Sequence, residues 1–67
     1  MERTYKKIEL VGISNKNYED AIQNAISKAA KTLKGISWFD VIEQHGKVVD
    51  DQIAEYQVVI KVAFKLD

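Results

Sequence analysis

Gln52-Ile53-Ala54-Glu55-Tyr56-Gln57-Val58-Val59-Ile60-Lys61-Val62-Ala63-Phe64-Lys65-Leu66 is the stretch that decides the fold. Its even positions are Ala54, Tyr56, Val58, Ile60, Val62, Phe64 and Leu66, all apolar or aromatic. Its odd positions mix Glu55, Gln57, Lys61 and Lys65 with Ile53, Val59 and Ala63. Period-two alternation rich in β-branched residues predicts a long strand with one buried face. A strand whose even face is this uniformly apolar belongs in the middle of a sheet, against a helix.

The rest of the chain supplies that helix and two flanking strands. Thr4–Ser14 alternates, with Ile8 and Leu10 on one parity and Lys7 and Glu9 on the other, and ends near Gly12. Tyr18–Lys34 reads as a helix with Asn17 as N-cap and Glu19 and Asp20 acidic in the first turn. Ile22, Ala25, Ile26, Ala29 and Leu33 form its apolar stripe, and Gly35 fits the position just past its end. Ser37–His45 is the remaining strand, with Phe39 and Val41 on the parity that faces the core. Gly46 and Asp50-Asp51 mark the turn that follows. A strand–helix–strand crossover leaves its two strands parallel, and a hairpin then returns the last strand antiparallel. The expectation is an α+β, β-α-β-β domain spanning residues 1–67, with a three-stranded antiparallel sheet and the last strand central. The open face carries Val59 and Ala63 among polar residues, which reads as a subunit contact or as ordinary scattered apolar surface.

Composition narrows what such a domain does. The chain has 67 residues, no Cys, no Pro and one His. Disulfides, zinc–thiolate sites and thiol catalysis are excluded, and His45 alone makes no multi-histidine metal site. A domain this small buries about 60% of the surface its unfolded chain exposes. Without disulfide or metal, self-association is the remaining staple. Ten basic and ten acidic residues give a formal net charge of zero, so there is no broad attraction to nucleic acid. Nor is there an aromatic RNA-binding signature or a Gly-x-x-Gly loop. No apolar run reaches the length of a membrane span, and Met1-Glu2-Arg3-Thr4 does not begin a signal peptide, so a cytoplasmic protein is expected. Gly12, Gly35 and Gly46 are too dispersed for a phosphate loop, and one His assembles no nucleophile–base pair. A binding protein, not an enzyme, is the expectation.

Trp38 is the informative residue. It shares parity with Asp40, Ile42 and Gln44, so it points away from the side that Phe39 and Val41 occupy. A large aromatic there is either an oligomer-interface anchor or a stacking platform for a planar ligand. Gln57, at an odd position of the last strand, faces the same side. Its amide both donates and accepts hydrogen bonds, as the edge of a flavin- or pterin-like heterocycle requires. The same pair is also compatible with an ordinary polar strand face.

Several segments resemble the dodecins, small flavin-binding proteins that assemble as hollow homododecamers. They are Tyr5-Lys6-Lys7-Ile8-Glu9-Leu10-Val11-Gly12, Ser14, Ala21-Ile22-Gln23-Asn24-Ala25, Lys31-Thr32-Leu33, Trp38-Phe39-Asp40-Val41, Glu55-Tyr56-Gln57-Val58-Val59 and Val62-Ala63-Phe64-Lys65-Leu66. The resemblance covers essentially the whole chain. It implies a sheet partly wrapped around the helix, and a flavin (FMN or riboflavin) stacked on Trp38 with its pyrimidine edge hydrogen-bonded by Gln57. It also implies quenching of the excited flavin by the tryptophan, and so storage or photoprotection without turnover. The alternative function is an oligomeric interaction or small-ligand module in which Trp38 is only an anchor.

One position departs from the family pattern. His45 stands where flavin-mononucleotide-binding bacterial dodecins commonly carry arginine, which puts the preference between FMN and riboflavin in doubt. Strict parity places His45 on the core side, whereas a bulge would redirect it. His45 is therefore either a ligand-periphery contact or a turn-flanking residue. Some dodecins also bind coenzyme A through basic residues near subunit junctions. With the first and last strands antiparallel, Arg3 and Lys6 are expected near Lys65, which reads as a phosphate patch or, more simply, as a solvated basic edge that discourages strand aggregation.

Overall fold

The structure, a computed structural model, describes residues Glu2–Asp67, so Met1 of the leader reading lies outside the described residues. Its elements are β1 (Tyr5–Ser14), α1 (Tyr18–Ala29), β2 (Ile36–Val49) and β3 (Gln52–Lys65). The sheet order is β1-β3-β2, and β3 is antiparallel to both neighbours. The α+β, β-α-β-β reading with a central last strand is the observed architecture.

The core lies between α1 and the even face of β3. Val58, Ile60 and Val62 are fully buried with Ala21 of the helix, and Ile8, Leu10, Tyr18, Ile22, Ala25, Ile26, Leu33 and Ile36 pack around them. Each fully buried aliphatic side chain contributes about 1.5–3 kcal/mol. Ala21 was not part of the expected stripe, yet it is the point of closest approach. The helix backbone sits so tightly on β1 at Gly12 that a Cβ there would overlap the Ala21 carbonyl oxygen. At the helix start, Asn17 Oδ1 accepts from the Asp20 N–H at 2.7 Å, the expected cap. Ser14, at the end of β1, donates from its buried Oγ to Asp20 Oδ2 at 2.6 Å and ties strand to helix.

Four expectations need correction. First, regular helix ends at Ala29, not Lys34. Lys31 N–H donates to the Lys28 carbonyl and Thr32 N–H to the Ala29 carbonyl, three residues back. This tightening turns the chain toward β2 while Leu33 still reaches the core. Gly35 (φ 77°) therefore belongs to the entry of β2, where its carbonyl accepts from the Lys65 N–H.

Second, β2 runs on to Val49, and Gly46 lies within it, opposite Tyr56. A Cβ at Gly46 would stand 2.9 Å from the Glu55 carbonyl oxygen, so the glycine marks a close strand approach, not a turn. The turn is Asp50-Asp51 alone, with φ of 52° and 62°, the left-handed pair of a type I′ hairpin.

Third, Phe39 and Val41 lie on the helix side of the sheet but stay 43% and 42% exposed. The helix lies over β1 and β3. A groove remains between it and β2, lined by Tyr18, Ile22, Ile26, Phe39 and Gln44, with a volume of about 490 Å³. Fourth, Ala63 on the other face is fully covered, and the exposed aliphatics there include Val11 and Ile13 of β1.

Candidate functional site

β2 is bulged between Val41 and Glu43, where Ile42 is the extra residue. Before the bulge, Trp38 and Asp40 share the open face with Ala63 and Lys61. After it, Glu43, His45 and Lys47 take that face, opposite Val59, Gln57 and Glu55. An extra residue shifts the parity of everything beyond it. His45 is thus brought to the open face, and Gln44, expected there, is turned to the helix side opposite Val58.

The open face has two different ends. At one end stands Trp38, 43% exposed, with the Tyr5 ring packed on it at 4.8 Å between centroids and 56° between planes. Ala63 lies under this pair, and its methyl leaves room for Tyr5 of β1 to reach Trp38 of β2 across the central strand. Beside them the Lys7 ammonium pairs with the Asp40 carboxylate. At the other end Gln57 is flanked by His45 on β2 and Ile13 on β1. His45 Nε2 and Gln57 Oε1 are 2.7 Å apart, and Gln57 Nε2 donates to Glu55 Oε1 at 2.7 Å. His45 Nδ1 lies 3.7 Å from Glu43 Oε2. Four polar side chains therefore form one row along the far end of this face.

Trp38 and Gln57 share a face but are not neighbours. Trp38 stands opposite Ala63, six positions along β3 from Gln57. At about 3.3 Å per residue that is roughly 20 Å, longer than a tricyclic ring. Within one chain, a single ring does not touch both. Parity alone showed the shared face, and only the register shows the separation. Glu55 and Tyr5 were missed as members of this surface. Glu55 sits two residues before Gln57, the spacing at which strand side chains are neighbours, and that signal was available.

The basic residues are divided. Lys6 opposes Phe64, on the helix side, and Lys65 opposes Tyr5, on the open side, while Arg3 precedes β1. Lys6 and Lys65 thus leave opposite faces of the sheet within one chain. Among the described residues no three His, Asp or Glu side chains are grouped to hold a metal ion. Among the described residues no helix is long and apolar enough to cross a membrane.

A bulged three-stranded sheet folded over one short helix has close counterparts among known proteins. A dodecin from Thermus thermophilus is 46% identical over all of this chain and 97% of its own length. The solved dodecin from Streptomyces davaonensis superposes with a TM-score of 0.95 at 42% identity, covering 100% of this chain and 98% of that one. A calcium dodecin from Mycobacterium tuberculosis, described as calcium-chelating, has a TM-score of 0.84 at 30% identity, covering 96% and 91%. The dodecins are a family of small binding proteins. With the Dodecin family model matching residues 4–67 and these relatives aligned along their full length, the chain belongs to the dodecin family.

Proposed function

We propose that this protein binds a flavin, FMN or riboflavin, by stacking the ring on Trp38 in a homododecameric assembly, and that it stores or shields the flavin without turning it over. The observation that carries this reading is the exposed indole on the open sheet face, in a chain whose family is one of binding proteins. The residues fit a planar ring. The indole is accessible and steadied by Tyr5, and a carboxamide with both donor and acceptor stands on the same face. When bound, the flavin would supply a light-absorbing, redox-active ring, and Trp38 would be the residue that holds it and quenches its excited state.

The roughly 20 Å between Trp38 and Gln57 makes assembly part of the site. One ring is served by the indole of one chain and the amide of another. Exposed Val11 and Ile13 on the same face favour such a contact. Coenzyme A is less well supported, since Lys6 and Lys65 leave opposite faces of the sheet. A cytoplasmic location belongs to the same proposal. The second reading, an interaction module anchored by Trp38, is favoured by the Tyr5–Trp38 packing, which already covers part of the indole.

The test is a titration of riboflavin and FMN followed by flavin fluorescence, with size-exclusion mass measured in parallel. Wild-type protein quenches both flavins. Trp38→Ala weakens binding by roughly fivefold to a hundredfold, the value of about 1–3 kcal/mol for one aromatic stack. Micromolar flavin without quenching overturns the proposal. A Trp38→Ala chain that loses its assembly, in a protein that never bound flavin, establishes the second reading.

A further inference from the structure

We propose that Glu55 and His45 are positioning residues for Gln57. They fix which way round its amide lies, so that the open face offers an oriented carboxamide to a planar ring edge carrying a carbonyl beside an N–H. This rests on the flavin reading above and deepens it, because it assigns the recognition of the ring edge to a row of residues rather than to Gln57 alone.

The orientation follows from donor and acceptor chemistry. An ionised carboxylate only accepts hydrogen bonds. Glu55 Oε1, 2.7 Å from the Gln57 amide, therefore selects Nε2 as its neighbour. The amide oxygen is then turned toward His45, whose Nε2 stands 2.7 Å away. An amide oxygen accepts, so His45 must carry a proton on Nε2 and donate it. Its other nitrogen, Nδ1, faces Glu43 Oε2 at 3.7 Å, so a second imidazole proton also meets a carboxylate. Lys47 opposes Glu55 in the strand register and places a cation across from it. Every member of the row thus agrees on a single direction for the Gln57 amide.

Gln57 keeps one N–H and one oxygen lone pair uncommitted. These present a donor on the Glu55 side and an acceptor on the His45 side. A ring edge of the flavin pyrimidine type pairs with its carbonyl toward Glu55 and its N–H toward His45. An amide free to flip would accept either order and would lose side-chain freedom on binding, which weakens affinity. His45, considered above as a contact to the ligand periphery, acts instead through Gln57.

The test compares wild type with Glu55→Gln, whose neutral amide offers Gln57 either a donor or an acceptor. Two readouts are taken, one with ligand and one without. In fluorescence titrations wild type binds riboflavin at least fivefold tighter than a flavin methylated on its pyrimidine nitrogen. Glu55→Gln binds riboflavin roughly two- to tenfold more weakly and loses most of that discrimination. In ligand-free protein the Gln57 side-chain N–H pair, identified by its loss in Gln57→Ala, gives two well-separated proton signals that draw together in Glu55→Gln. If Glu55→Gln keeps both the discrimination and the separated signals, the positioning role is overturned and the flavin reading stands. If wild type quenches neither flavin, the flavin reading falls and takes the ring-edge assignment with it. Should Glu55→Gln not assemble, Glu55→Ala, which removes the acceptor that orients the Gln57 amide, is read by the same two measurements with the same expected outcomes.

Discussion

Replacing Gly12 by alanine should cost this protein a large part of its stability. The new Cβ would overlap the Ala21 carbonyl oxygen, lie 2.9 Å from the Ala21 carbonyl carbon and 3.1 Å from the Ala25 Cβ. The first two are helix backbone atoms and cannot rotate aside. The helix must retreat from β1, and Ala21 forms the core with Val58, Ile60 and Val62, all fully buried. Overpacking of this kind costs about 1–3 kcal/mol. A domain of this length holds about 3–10 kcal/mol in total. With a shift of about 4–8 °C per kcal/mol for a small domain, the melting midpoint should fall by roughly 4–24 °C. The assay is thermal and urea unfolding followed by far-UV circular dichroism. Protein concentration must be matched, because self-association adds to apparent stability. A midpoint unchanged within error would refute the close helix–strand contact, and with it the placement of α1 over β1.

Two further outcomes follow from local geometry. Asn17→Ala removes the acceptor for the Asp20 N–H and should lower stability by about 1 kcal/mol, read as a shifted urea midpoint with unchanged slope. Asp51→Gly relieves a left-handed φ of 62° on a non-glycine residue and should raise stability by on the order of 1 kcal/mol, visible as a higher melting midpoint.

The architecture was legible because β3 declares itself. Fifteen residues of nearly perfect alternation leave one place in the sheet and one face for the helix. What was not legible depends on events that break a period. The parity of β2 held from Trp38 to Val41 and failed beyond, because Ile42 is an ordinary strand residue that carries no sign of being the extra one. His45 and Gln44 exchanged faces as a result. Gly46 was misread because glycine serves both turns and close strand approaches, and only the partner, the Glu55 carbonyl, tells the two apart. Phe39 and Val41 were assigned to a core by parity. Parity gives the side of the sheet but not how far across it a single twelve-residue helix reaches.

That same distinction between face and distance shapes the site. Trp38 and Gln57 share a face, and the register sets them at opposite ends of it. On the proposed reading each chain therefore carries two half-sites, an aromatic one beside Tyr5 and an amide one beside His45 and Glu55. A lone chain completes neither. In a closed symmetric assembly the aromatic end of each chain meets the amide end of another, every half-site is used once, and the number of complete sites equals the number of chains. The bulge at Ile42 matters to this arrangement. Without the parity change, His45 would face the helix and Gln57 would lack its donor. On the proposed reading, the bulge at Ile42 is thus what turns a plain polar strand face into an oriented hydrogen-bonding edge, to which a neighbouring chain brings the aromatic surface.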